Sequence, residues 1–355
     1  MSGGVDSSVA AALMLEQGHD CAGFTLDLRS GLDDRLGRPR GAARDLSDAR
    51  AVAERLGIAH YALDFSREFE LRVVEPFARA YLRGETPNPC VFCNLGVKFN
   101  FGLLSRALLA HDFDDFDLLA TGHYARVALD PASGRHLLRK ARDPQKDQSY
   151  VLYGLRQQEL SRARFPLGEF TKREAREIAR AQNLATGDKA ESQDICFVPE
   201  GDYGAFIEAY VGEKCAPGDI VDPAGAVLGR HRGIIRYTIG QRRGLGVSAA
   251  APLYVAEKSP ERNAVVLAPE SGLYRKSLVA RDANLIACAR LDGPTRVQAR
   301  TRYQQKEQAA TVWQTAEREL RVEFDSPQRA IAPGQAVVLY DGDLVIGGGT
   351  IAPDH

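Results

Sequence analysis

Between residues 7 and 124 the apolar side chains switch back and forth between helical and strand-like spacing, and this alternation limits the possible folds more than any other feature of the chain. SSVAAALMLEQ (7–17) carries apolar residues on a helical face and stops at Gly18, a C-terminal helix glycine. CAGFTLDL (21–28) reads as a strand. DLSDARAVAERLG (45–57) places Ala49, Val52, Ala53 and Leu56 at helical intervals, which predicts one buried stripe. A second strand, AHYALDF (59–65), precedes a helix over 69–84, and a further helix over 97–111 feeds the strand FDLLATGHY (116–124). Strands alternating with helices predict a doubly wound parallel α/β sheet. Such sheets bind ligands beyond the carboxyl ends of their strands. TKRE (171–174) then opens another helix with a capping box.

Beyond about residue 200 the pattern changes. Gly and Pro become frequent, helical periodicity fades, and short alternating runs such as NAVVLAP and AVVLYDGDLVIGG take over. These predict a small central β-rich domain and a C-terminal antiparallel β-barrel. The expected divisions are 1–200, 201–268 and 269–355. A hydrophobic content of 44% is ordinary for a chain that buries a sizeable core. No apolar run reaches the roughly 18 residues of a membrane helix, and no export signal opens the chain. A cytoplasmic protein with no membrane partner is expected. The net charge of −1 neither requires nor excludes a nucleic-acid partner.

Three motifs carry chemistry. The first is SGGVDSS (2–8), entering the helix at about Ser7. Gly3 and Gly4 let backbone approach an anion, and the helix N-terminus favours negative charge there. Ser2, Ser7 and Ser8 add hydroxyls, and Asp6 is a candidate ligand for phosphate-bridging magnesium. No Gly-Lys-Ser/Thr closes the loop, so it is not a Walker A motif. It resembles instead the PP-loop of ATP pyrophosphatases, which split ATP into AMP and pyrophosphate; the plainer alternative is a glycine turn capping a helix. The second motif is TPNPCVFCN (86–94), whose Cys90 and Cys93 suit a redox pair, half a metal site or two core thiols. The third is ESQDICFVP (191–199), where Glu191, Ser192, Gln193 and Asp194 give Cys196 a polar approach unusual for a core thiol.

Two basic islands complete the inventory. GRHRGIIRYTIGQRRGLG (229–246) interleaves Arg230, Arg232, Arg236, Arg242 and Arg243 with Gly and Tyr237, a composition suited to phosphate backbone. Arg162, Arg164, Lys172, Arg173, Arg176 and Arg180 form the other. Local clustering of this kind lets a nearly neutral protein bind a polyanion.

SGGVDSS, TPNPCxxCN, TGHYAR, KDQSY, SQDICF and YTIGQRRGLG, in this order and spacing, resemble the tRNA-specific 2-thiouridylases from residue 2 to about residue 353. The resemblance implies a PP-loop domain, a small central domain and a C-terminal barrel. It also implies ATP-dependent replacement of oxygen by sulfur at carbon 2 of the wobble uridine in tRNAs for Lys, Glu and Gln. Ser2, Gly3, Gly4, Val5, Asp6, Ser7, Ser8, the backbone at Leu26, and Gly122 would hold ATP with magnesium. Asn88, Pro89 and Cys90 would face the target base. Cys196 would receive a persulfide from a sulfur-carrier or cysteine-desulfurase relay protein, and Cys93 would be its partner nucleophile. His123, Lys146, Asp147, Gln148, Arg302, Tyr303 and Gln335 fall on tRNA-contacting positions. The rival expectations are another AMP-forming PP-loop ligase and a tRNA-binding homologue without turnover.

Two departures stand out. Many members carry Asp at the position of Cys90, as proposed acid/base, so the thiol here unsettles that role. Cys90, Cys93 and Cys196 together are also a candidate cradle for an iron–sulfur cluster with one open iron, as in related tRNA thiolation enzymes. The alternative is a tolerated substitution within the persulfide route. The second departure is the start: members carry an apolar strand before the loop, commonly ending in Met, which leads us to expect the first sheet strand to be missing and the true start to lie upstream of Met1.

Overall fold

The computed structural model describes residues 1–39, 42–113, 115–184, 195–198 and 201–353. Helix α1 (Val5–Glu16) follows the glycine loop directly. It ends where Gly18 takes φ +83° and the His19 amide donates back to Met14 O, the left-handed stop that Gly18 predicts. Strands β1 (Gly23–Asp27) and β2 (His60–Asp64) pair in parallel, linked through helices α2 (Ser30–Arg35) and α3 (Ala42–Leu56). Ala49, Val52 and Ala53 of α3 are buried, as the helical stripe requires. The Met1 nitrogen donates to Phe24 O beside β1.

The expected helix over 69–84 is longer and interrupted. It comprises α4 (Ser66–Phe69), a π-helical turn at Glu70–Val74 and α5 (Glu75–Leu82). The same device recurs after the first thiol motif, with α6 (Pro89–Cys93), a π turn at Asn94–Lys98 and α7 (Phe101–Leu109). Such π turns are rare and frequent at functional sites.

The strand expected over 116–124 contracts to β3 (Leu119–Ala120). After it come an antiparallel hairpin that the sequence pattern did not reveal, β4 (Ala125–Leu129) and β5 (His136–Lys140), and helices α8 (Ser149–Leu152) and α9 (Gln157–Arg162). Strand β6 (Ala163–Arg164) then pairs with β3 in parallel. The parallel core among the described residues therefore consists of two two-stranded pieces, β1–β2 and β3–β6. Helix α10 (Lys172–Ala181) packs on α1. It begins with the predicted capping box: Glu174 N donates to Thr171 Oγ1 at 3.3 Å and Thr171 N to Glu174 Oε2 at 2.6 Å.

Helix α11 (Tyr203–Val211) opens the central domain, whose strands β7 (Gly218–Val221), β8 (Val227–His231), β9 (Tyr254–Ser259) and β10 (Ala264–Ala268) form a sheet ordered β8-β7-β10-β9. The β7–β10 pair is parallel, so this small sheet is mixed. The C-terminal strands are β11 (Tyr274–Leu285), β12 (Thr295–Arg300), β13 (Gln308–Ala316), β14 (Glu319–Arg329), β15 (Ala336–Asp341) and β16 (Leu344–Ile351). They run antiparallel in the order β11-β14-β13-β12-β15-β16 and close through β11–β16 into the expected barrel. Leu278, Val297, Val312, Val322, Phe324 and Leu339 fill it.

The barrel is fastened to the N-terminal domain. Hairpin β4–β5 extends the barrel sheet beyond β16, with Leu344 opposite Arg139. Arg126 and Arg139 each reach the Asp343 carboxylate at 2.7 Å. Asn284 Nδ2 donates to Tyr153 O at 2.7 Å and Leu155 O at 2.9 Å. No helix among the described residues is long and apolar enough to cross a membrane.

Candidate active site

The PP-loop folds around its own serines. Ser2 N donates to Ser7 Oγ at 3.0 Å, and Ser7 and Ser8 hydroxyls donate to Gly4 O at 3.1 and 2.9 Å. Gly3 sits at φ +64°, where an added Cβ would stand 2.4 Å from Asp45 O. Gly4 is the N-cap of α1, and no side chain caps the first turn. The first-turn amides at Val5, Asp6 and Ser7 thus present an anion site backed by the helix dipole. Gly122, just beyond β3, packs on this turn: a Cβ there would lie 2.7 Å from Asp6 C and Ser7 N. Leu26 lies near the carboxyl end of β1, opposite Leu63 of β2.

Asp6 does not fit the role of magnesium ligand as placed. Its carboxylate accepts from Lys172 Nζ at 2.7 and 2.9 Å and from the Tyr124 hydroxyl at 2.8 Å. Lys172 is buried at the first position of α10 and brings an ammonium to the start of α1.

The thiol site is built on α6. Asn88 caps that helix, its Oδ1 accepting from Cys90 N at 3.0 Å, and Pro89 occupies the first turn, where a missing N–H costs nothing. Cys90 is exposed and Cys93 buried. From the other side, Cys196 stands exposed on the described segment 195–198; the polar approach Glu191–Asp194 lies outside the described residues. Burial pushes the Cys93 thiol up to about 12, opposed by Lys98 and reinforced by Cys196 and Cys90. Cys196 and Cys90 keep exposed surface, yet the protein packed around them desolvates both thiols and raises them; on Cys196, Lys98 acts downward, Cys90 upward and Arg29 downward. On Cys90, Lys98 again acts downward. One lysine, on the π turn after α6, therefore acts on all three thiols. In the sequence this charge lies hidden inside a helix-like run.

The three thiols are free, and no group of three His, Cys, Asp or Glu among the described residues is arranged to hold a metal ion. As placed, they do not fit an iron–sulfur cradle.

Loop 84–88, which leads into α6, is pinned by the other two domains. Thr86 N donates to Pro333 O at 2.8 Å, and Gln335 Nε2 donates to Thr86 O at 2.5 Å. Lys258 Nζ reaches Glu85 O at 3.4 Å under the Tyr81 ring. Burial lowers the Lys258 pKa to about 8. Below pH 8 both folded and unfolded chains carry this charge, so its full burial cost is present. Between pH 8 and the ordinary 10.5 only the unfolded chain holds the proton, so folding gains stability as pH rises. Lys258→Met is therefore expected to stabilise the protein at pH 7 by on the order of 1–3 kcal/mol. Thermal melts at pH 7 and pH 10 check this; a difference from wild type that does not shrink at the higher pH contradicts it.

The residues expected to touch tRNA divide into two groups. His123 is buried between Phe99 and Phe165, hydrogen-bonded to Thr121 Oγ1 at 2.8 Å and held neutral chiefly by burial. Asp147 is buried and accepts from Ala141 N, Ser149 N and Ser149 Oγ. Gln148 Oε1 accepts from Tyr124 N at 2.9 Å, Gln335 holds Thr86, and Arg302 donates to Ala330 O at 2.6 Å. These five shape the site from within. Tyr303 stays 37% exposed, donates to Asp147 O at 3.2 Å and lies close enough for Cys90 to help raise its pKa, after burial and Asp147. Lys146 lines a basic groove with Lys172, Arg173, Arg176 and Arg180. Arg162 instead donates to Asp117 O, and Arg164 to the carbonyls of Ser161 and Ala163. In the other island Tyr237 is buried against His231 and Arg236 pairs with Glu208, which leaves Arg230, Arg232, Arg242 and Arg243 exposed.

Comparison with known proteins fits this geometry. Residues 1–200 match the model for a tRNA methyl transferase HUP domain, 204–269 a tRNA methyl transferase PRC-barrel domain and 275–351 an aminomethyltransferase beta-barrel domain. The tRNA-specific 2-thiouridylase MnmA of Moorella thermoacetica is 49% identical over 356 residues, covering 99% of this chain and 98% of that protein. Those of Acetivibrio thermocellus and Carboxydothermus hydrogenoformans are each 46% identical over 354 residues, covering 99% of this chain and 97% and 96% of theirs. The chain belongs to the tRNA-specific 2-thiouridylase family.

Proposed function

We propose that the chain adenylates the C2 carbonyl oxygen of the wobble uridine in tRNAs for Lys, Glu and Gln and replaces that oxygen with sulfur. The observation that carries this reading is the convergence of Cys90, Cys93 and Cys196 around Lys98, beside Tyr303, in a chain that also holds an uncapped PP-loop helix. The first-turn amides of α1 and the Lys172 ammonium receive the phosphates of ATP. A magnesium ion bound to those phosphates would supply further charge neutralisation. The uridine oxygen attacks the α-phosphorus and pyrophosphate leaves, which converts a poor electrophile into one that expels AMP. An anticodon-loop base is cheap to extrude for this purpose.

Cys196 carries a persulfide received from a sulfur-carrier or desulfurase relay protein. The terminal sulfur attacks C2 and AMP departs, leaving a Cys196–S–S–C2 adduct. Cys93 then attacks Cys196 Sγ; the bond to the transferred sulfur breaks and its electron pair completes the C2 thiocarbonyl. A Cys93–Cys196 disulfide remains, and an external thiol reduces it. Because burial holds Cys93 as a thiol at neutral pH, its proton must leave during the attack, and Lys98 favours the resulting anion. The basic groove at Lys146, Arg173 and Arg180 and the exposed Arg242 and Arg243 offer charge to the tRNA backbone.

Purified protein, ATP, a thiol reductant, a relay protein carrying persulfide sulfur and transcripts of the three tRNAs test the proposal by mass spectrometry of digested nucleosides. ATP-dependent 2-thiouridine supports it. Pyrophosphate release driven by an amino acid or amine, with no thiouridine, would replace it with a ligase. A rigorously iron-free preparation is expected to retain full activity, and activity proportional to bound iron contradicts the persulfide route.

A further inference from the structure

We propose that Arg29 is the positioning residue for Cys196, holding the sulfur-bearing segment from the carboxyl end of β1. This rests on the reading of Cys196 as the sulfur carrier. Within the described segment 195–198, Val198 N donates to Ile195 O at 3.0 Å. The segment is also gripped by residues far away in the chain. The Phe197 ring inserts among Phe69, Phe77 and Phe206, with centroids 5.5, 5.2 and 5.3 Å away. Two guanidinium groups hold the flanking carbonyls. Arg29 Nη1 donates to Cys196 O at 2.6 Å, and Arg38 Nη1 donates to Phe197 O at 3.2 Å.

The two arginines differ in kind. Arg38 is tied down by the buried Asp33 at 2.9 Å and packs over the Phe206 ring, so it belongs to the aromatic anchor. Arg29 has no carboxylate partner among the described residues. Its root is fixed instead by Asp27, whose Oδ1 accepts from Arg29 N at 3.2 Å and Ser30 N at 3.1 Å. Asp27 is the last residue of β1 and follows Leu26 directly. A rigid turn at the strand end thus carries a charged donor straight to the peptide of the sulfur-bearing residue. Charge-assisted hydrogen bonds of this length are among the strong ones. Sulfur transfer needs reacting atoms about 3–3.5 Å apart, and a displacement near 1 Å costs roughly 10²-fold. Phe197 fixes the segment to the core, and Arg29 sets where the neighbouring sulfur points.

The test compares Arg29→Ala, Arg29→Lys and Cys196→Ser in the full chain. Two rates are measured: tRNA-dependent pyrophosphate release, and single-turnover thiolation from a preloaded persulfide. Arg29→Ala is expected to release pyrophosphate at the wild-type rate and melt within a degree or two of wild type. Its thiolation is expected to fall about 10- to 100-fold, with Arg29→Lys recovering most of the loss. Wild-type thiolation in Arg29→Ala, or a parallel fall in both rates, overturns the assignment. Thiolation by Cys196→Ser would overturn the carrier reading itself, and the Arg29 assignment with it. An inactive Cys196→Ser beside a fully active Arg29→Ala overturns Arg29 alone.

Discussion

A Cys196→Ser protein is expected to bind tRNA and ATP, to release pyrophosphate normally, and to form no 2-thiouridine, a loss of at least roughly 10³-fold. The side chain is exposed and the hydroxyl replaces the sulfur without crowding, so the fold has nothing to lose. What disappears is the only atom at that position able to carry a second sulfur. Cys93→Ser separates the two thiols further. With Cys196 intact the persulfide still attacks C2, but nothing cleaves the adduct, so a covalent protein–tRNA species accumulates that added thiol releases. Gel analysis with and without reductant distinguishes this outcome; normal multiple turnover in either variant rules out the proposed route.

The second large effect is expected at Gly122. A Cβ there lies 2.7 Å from the Asp6 carbonyl carbon and Ser7 nitrogen and 2.9 Å from Asp6 Cβ. Backbone cannot rotate away as a flexible side chain can, so Gly122→Ala must displace either the end of β3 or the first turn of α1. That turn presents the amides proposed to hold phosphate, and its Asp6 is locked to Lys172. The expected result is a fall in kcat/KM for ATP of about 100-fold, with tRNA affinity retained. Pyrophosphate-release kinetics and filter binding check the two halves, and an unchanged KM for ATP would show that the turn tolerates the push.

The local geometry around the candidate site is legible in the sequence. Glycines that face backbone, a proline at the start of the C-x-x-C helix and a Thr-x-x-Glu capping box each act within a few residues. The parts that stayed hidden act over long separations. Arg29 is 167 residues from the carbonyl it holds, and nothing in LDLRSG signals that partner. In the sequence Lys172 is one more cation of a basic island, and its partner Asp6 lies at the other end of the domain's sequence. His123 and Asp147 belong to polar motifs yet are buried, because each finds its hydrogen bonds inside the domain. The hairpin β4–β5 escapes the sequence pattern because its strands are short and β5 finds its outer neighbour, β16, in the distant barrel.

That borrowed pairing bears on how the enzyme can be divided. Cutting the chain before the barrel would strip β5 of its neighbour β16 and leave Arg126 and Arg139 without Asp343. The severed domain would present an open strand edge, the feature that drives edge-to-edge aggregation. Grafting a foreign barrel would meet the same difficulty, since the joint is a continuous sheet and not a linker. The N-terminal domain and the barrel are thus joined edge to edge, and an exchange of either part is expected to succeed only when the β5–β16 seam travels with it.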